Sequence, residues 1–112
     1  MKTFLALYTG APAPAQRPAP PDAETAAKGM AAWGEWMSRN AAQVVDGGGP
    51  LGVTKRVDRG GVADAHNAVA GYVVIRAESH EAAAKMFENH PHFAIFPGEA
   101  VEVMEVLPIP GG

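Results

Sequence analysis

Gly71-Tyr72-Val73-Val74-Ile75-Arg76-Ala77-Glu78-Ser79-His80-Glu81-Ala82-Ala83-Ala84-Lys85-Met86-Phe87 decides the fold, because it reads as one strand followed by one helix. Tyr72 to Arg76 is rich in β-branched residues, which suit a pleated, half-buried backbone. Ser79 is a good helix cap, and Glu81 in the first turn complements the positive end of the helix dipole. Ala83, Met86 and Phe87 make the inner stripe of that helix. Pro91 is expected to end it, since the residue before a proline avoids helical backbone.

The same order of strand and helix stands upstream. Residues 3 to 9 form an apolar, aromatic run stopped by Gly10, the mark of a buried strand. Residues 10 to 22 carry five prolines among alanines and read as an extended surface loop, with a ligand for a proline-binding groove as the alternative. Asp22 caps a helix expected over 22 to 42, with Ala26, Met30, Trp33, Met37 and Ala41 on its inner stripe and Trp36 beside it. Residues 43 to 46 read as a short strand. Val53 to Val57 alternate with polar residues as a half-exposed strand, and Asp58 to Gly61 is a turn. Val101 to Leu107 is the last strand, followed by an exposed tail over 108 to 112.

Two β-α-β halves in this order predict an α+β ferredoxin-like β-α-β-β-α-β sandwich, an antiparallel sheet with two helices on one face. The strands are apolar on both sides. Leu5 and Leu7 oppose Phe4, Ala6 and Tyr8, and Met104 and Val106 oppose Val101 and Val103. Helices cover only one face, so the other needs a partner, and a homodimer packed sheet to sheet supplies it.

Composition narrows the function. The chain has 112 residues, 47% of them apolar and 19% charged, which fits one globular domain over 1 to 112 and excludes a disordered acidic or basic chain. A net charge of −3 argues against a nucleic-acid partner. With no cysteine, disulfides, thiolate metal sites and cysteine nucleophiles are excluded. No apolar run is long enough to span a membrane, and the first residues are too short an apolar stretch for a secretory signal. A cytoplasmic, bacterial-type protein is expected.

Several segments together carry a family resemblance: Met30 to Trp36, Val45-Asp46-Gly47-Gly48-Gly49-Pro50-Leu51-Gly52, Gly71 to Ile75, His90-Pro91-His92 and Val101-Glu102-Val103. In these the chain resembles the YCII-related proteins, which are also described through a DGPF motif. The resemblance implies a ferredoxin-like subunit of a dimeric α/β barrel. It also implies kinship with enzymes that act on small ring compounds through a His–Asp acid–base pair. The chain departs from that pattern at three points. Asp64-Ala65-His66-Asn67 stands where the DGPF motif would fall, His90 replaces an Asp before the proline, and Trp33 and Trp36 occupy the region of a first-helix histidine.

The candidate site is built from histidines, whose ordinary pKa near 6.5 suits proton transfer and metal binding alike. His92 and His66 are the candidate acid–base residues, with Asp46 as the carboxylate that orients one of them. Tyr8, Trp36, Asp64 and His90 are the candidate ligand-binding residues, the aromatics for their apolar bodies and polar tips. A metal held by three histidines and Asp46 is an alternative, and so is plain packing of His92 with His66 and His90 on the surface. No cofactor is expected. Gly47 to Gly52 matches G-x-G-x-x-G by letter, but a proline interrupts it and no helix follows, so it reads as a backbone bulge between strand segments. His80-Glu81 lacks the second histidine of a zinc-protease helix, since Ala84 stands there. The expected function is a small-molecule-binding dimer, with acid–base chemistry of lyase, isomerase or dehalogenase type. The alternatives are a non-catalytic accessory protein and an interaction module built on the Ala-Pro loop.

Overall fold

The computed structural model describes residues 1–10 and 22–110. The elements run β1 (Lys2–Thr9), α1 (Ala23–Arg39), β2 (Val44–Pro50), β3 (Thr54–Asp58), β4 (Gly61–Ala65), β5 (Val69–Ala77), α2 (His80–Lys85), α3 (Pro91–Ala94) and β6 (Ala100–Glu105). Four strands form an antiparallel sheet in the order β2-β5-β1-β6. With two helical segments after β1 and β5, this is the ferredoxin-like α+β arrangement, the subunit fold of the dimeric α/β barrels. The Ala-Pro loop lies almost wholly outside the described residues.

Strand alternation sets the core. Phe4, Ala6 and Tyr8 on β1 and Val73, Ile75 and Ala77 on β5 are buried together with Trp36 of α1, Ala83 of α2 and Phe87 in the turn after α2. The opposite side chains, Leu5, Leu7, Tyr72 and Val74, are half-buried on the face without helices. Met104 and Val106 are exposed at the β6 edge of the sheet.

Three local readings change. The inner stripe of α1 contains Gly29, Trp33, Trp36 and Met37, while Met30 is exposed. The reason is steric: a Cβ on Gly29 would stand 2.2 Å from the Phe96 ring, so the helix turns its glycine inward to admit that ring. The second helix stops at Lys85, well before Pro91. Asn89 takes a left-handed φ of 58° and redirects the chain, and Pro91 then opens the separate helix α3 from its first turn, where its missing N–H costs nothing. Finally, Gly61–Ala65 is a strand that pairs with β3 as a two-stranded ribbon. Its small residues carry little β signal.

The glycine run does form an irregular stretch of β2, with register shifts at Asp46 and Gly49. Gly48 sits at φ +65°, and a Cβ there would lie 1.8 Å from the Tyr72 carbonyl oxygen. Asp46 Oδ1 accepts the Gly48 N–H at 2.8 Å and closes the bend. No helix among the described residues is long and apolar enough to cross a membrane.

Candidate functional site

The end of β1 delivers Tyr8 and Thr9 to the short segment that carries His90 and His92. Both histidines are buried, because His90 caps α3 and His92 lies in its first turn, with the helix folded back against β1. His90 Nδ1 accepts the backbone N–H of His92 at 3.0 Å. A neutral His90 therefore carries its proton on Nε2, which faces the Tyr8 hydroxyl at 3.5 Å, a long contact. Burial, reinforced by the neighbouring His92, lowers the His90 pKa to about 4. His90 is thus a neutral imidazole at physiological pH. Burial also pushes the Tyr8 phenol above its ordinary value and keeps it protonated. With His90 donating to its oxygen, the Tyr8 O–H is left to donate elsewhere.

His92 is aimed by the backbone. Its Nε2–H donates to the Thr9 carbonyl at 2.7 Å. That oxygen also accepts the Glu99 N–H at 3.0 Å, so one carbonyl fixes both the histidine and the start of β6. In this tautomer Nδ1 keeps its lone pair, and it makes no hydrogen bond with a described residue. Gly98 closes over the ring, and a Cβ there would stand 2.4 Å from its edge.

Aromatic rings surround this pair. Trp33 lies 4.8 Å from Tyr8, 4.6 Å from His90 and 6.3 Å from His92, centroid to centroid. Phe96 lies 6.2 Å from Trp33, and Phe87 lies 5.8 Å from His90. Trp33 and Phe96 are half-buried and carry the cluster to the surface.

Tyr8, His90 and His92 are thus brought together. Trp36 touches His90 edge-on at 5.1 Å, but it belongs to the core: its Nε1–H donates to the Met86 carbonyl at 2.8 Å and its ring stacks on Phe87. The tryptophan that faces Tyr8 and both histidines is Trp33, one helical turn earlier. Asp46, His66 and Asp64 stand apart, all exposed. Asp46 is spent on the Gly48 bend, which leaves its expected orienting role without a histidine. Asp64 pairs with Lys55 on the β3–β4 ribbon, and His66 follows that ribbon. Among the described residues no three of His, Asp and Glu gather as a metal-holding group. His80, in the first turn of α2, donates Nε2–H to the Val103 carbonyl at 2.7 Å and lies over Phe4. Sequence reasoning did not single out Gly98 or the Thr9 carbonyl. Only the two histidines flanking a proline pointed to this segment.

No family model matches the chain, and no curated protein matches it in sequence. One solved structure is similar to it: 5-chloro-2-hydroxyhydroquinone dehydrochlorinase from Burkholderia phenoliruptrix, in complex with 2,5-dihydroxybenzoquinone. The two share 18% identity over 91% of this chain and 90% of that one, with a TM-score of 0.53. At that identity the likeness is one of fold.

Proposed function

We propose that this chain is a subunit of a YCII-related homodimer that binds a small planar ring compound beside Tyr8 and His92 and moves a proton on it. The observation that carries this reading is the pair of fixed hydrogen-bonding poles. His92, with its Nε2–H tied to a carbonyl, offers Nδ1 as a base, and Tyr8, kept protonated by burial, offers an O–H donor. Trp33 and Phe96 supply flat apolar walls. A hydrogen-bond acceptor and a donor set among aromatic rings suit an uncharged hydroxylated aromatic or quinone better than a carboxylate or phosphate, since no cation among the described residues stands in the cluster. The similar fold's name, a dehydrochlorinase acting on a hydroquinone, points to the same ligand class. A base and an acid on one ring compound suit a lyase, isomerase or dehalogenase step. The homodimer is read from the apolar sheet face of Leu5, Leu7, Tyr72 and Val74, which no helix among the described residues covers.

A second reading, a non-catalytic ligand-binding accessory protein, is favoured by one observation: among the described residues no carboxylate hydrogen-bonds either buried histidine, unlike the His–Asp pair of the resembled enzymes. Titration calorimetry with a panel of dihydroxybenzenes and hydroxyquinones, with absorbance and halide release followed in parallel, tests both. Binding that is weakened by Tyr8→Phe and His92→Gln, together with turnover lost in His92→Gln, supports the enzyme. Binding without turnover supports the accessory protein. No binding by any member of the panel refutes the ligand class.

A further inference from the structure

The pair of Tyr8 and His92 leaves His90 without a role, although it is the more deeply buried of the two histidines, at 0% exposure. Its ring makes two polar contacts, and both partners lie at the site. Nδ1 accepts the backbone N–H of His92, and Nε2 faces the Tyr8 oxygen. A backbone amide only donates, so Nδ1 is bare and the proton of the neutral ring sits on Nε2. Turning the ring over would set carbon against both partners and lose both contacts at once. Trp33 and Trp36 meet the ring edge-on at 4.6 and 5.1 Å, centroid to centroid, with Phe87 at 5.8 Å, and hold it in this orientation.

The consequence falls on Tyr8. An Nε2 that carries a proton cannot accept one, so the Tyr8 hydroxyl does not donate to His90. Its oxygen takes the Nε2–H, and its own proton turns away, with no acceptor among the described residues. His92 is the reverse case. Its Nε2–H is spent on the Thr9 carbonyl, and Nδ1 has only a lone pair to offer. The two poles of the site therefore have opposite and fixed signs.

We propose that His90 is the positioning residue that fixes this polarity, and that the site selects a ring bearing an oxygen acceptor for Tyr8 and a hydroxyl proton for His92, as a hydroxyaryl ketone or a hydroxyquinone does. The proposal rests on the small-ring reading above and deepens it. One imidazole serves both ends: Nδ1 anchors the backbone that carries His92, and Nε2–H aims the Tyr8 proton at the ligand. A ring with acceptors alone leaves His92 Nδ1 unmatched. A ring with carbon at the Tyr8 end leaves a buried O–H donor unpaired. A site built to hydrogen-bond its ligand discriminates most strongly at such positions.

The test uses methoxyphenols and ethylphenols of the ortho, meta and para series. Each pair exchanges one oxygen acceptor for a methylene and keeps the hydroxyl for His92. The ratio of the two dissociation constants, by titration calorimetry, reads the aimed Tyr8 proton alone, because looser packing weakens both ligands alike. In its best-binding series the wild type is expected to favour the methoxyphenol by roughly 10-fold, and Tyr8→Phe to abolish the preference. His90→Asn sets an oxygen near the place of Nδ1, so it keeps the His92 anchor but offers Tyr8 no N–H, and its preference is expected to fall below roughly 3-fold. His90→Gln sets an amide N–H near the place of Nε2, and is expected to restore the ratio while weakening both ligands. Imidazole 15N spectra of the wild type read the tautomers without any variant, and both histidines are expected to carry the proton on Nε2 at neutral pH. A His90 proton on Nδ1, or a ratio that His90→Asn leaves unmoved, overturns the positioning role while the ring-binding reading stands. Binding of hydroxyquinones without binding of any methoxyphenol overturns the polarity alone. No binding by either set overturns the ring-binding reading, and the polarity with it.

Discussion

Replacing His90 by Asn should flatten the acid limb of the stability curve. In the folded chain His90 is 0% exposed and its pKa is lowered to about 4 by burial, with His92 adding to the shift. In the unfolded chain it returns to about 6.5. The sign follows from proton counting. Above pH 6.5 neither state binds the proton, so the native state bears no penalty. As pH falls from 6.5 toward 4, the unfolded state takes up a proton that the native state refuses, and stability declines through that window. A gap of about 2.5 pH units at 1.36 kcal/mol each makes the loss about 3 kcal/mol by pH 4. Protonation of Nδ1 would also remove the acceptor for the His92 N–H and uncap α3. Asn keeps a capping oxygen at this position but does not titrate. Urea unfolding at half-unit steps from pH 7.5 to 4.5 gives the two slopes, and subtracting them cancels the carboxylates common to both proteins. The wild type should lose up to one proton's slope more than His90→Asn. Equal slopes, or a His90 ring that titrates above pH 6 by NMR, would refute the buried neutral imidazole.

Three further perturbations test the packing. Gly48→Ala must force a left-handed φ on a residue whose Cβ meets the Tyr72 carbonyl, and should destabilise by at least ~2 kcal/mol in urea. Trp36→Phe removes the donor to the Met86 carbonyl and part of a buried ring, and should lower stability by ~2–4 kcal/mol without abolishing ligand binding, since Trp33 faces the site. Gly29→Ala gains ~1 kcal/mol of helix propensity but drives a methyl into the Phe96 ring at an overpacking cost of ~1–3 kcal/mol, so calorimetric unfolding should show a net loss or no gain.

The fold was legible in the sequence because each strand and helix carried its own local signal: β-branched runs, Asp22 and Ser79 as caps, and two apolar stripes. Where the structure departs, a non-local contact decides. Met30 is the more hydrophobic residue, yet Gly29 faces inward because a ring from 67 residues downstream occupies that space. Strand β4 was hidden because Gly61, Ala63 and Ala65 have no β preference, and pairing with β3 alone defines it. At the site, His90 and His92 were visible as a pair. Their environment was not, since both are tied to β1, more than 80 residues away in sequence. Asp46 had the right chemistry for a partner, but local geometry spends its carboxylate on a glycine turn.

The Thr9 carbonyl has two lone pairs, and both are committed, one to the His92 ring and one to the first amide of the β6 edge. Strand registration and imidazole aim are therefore a single degree of freedom. Anything that slides the β6 edge along β1 rotates the histidine, and anything that pulls on the histidine tugs at the edge. Substitutions at Glu99, whose side chain makes no polar contact with the aromatic cluster, should consequently behave in a functional screen as if they lay inside it.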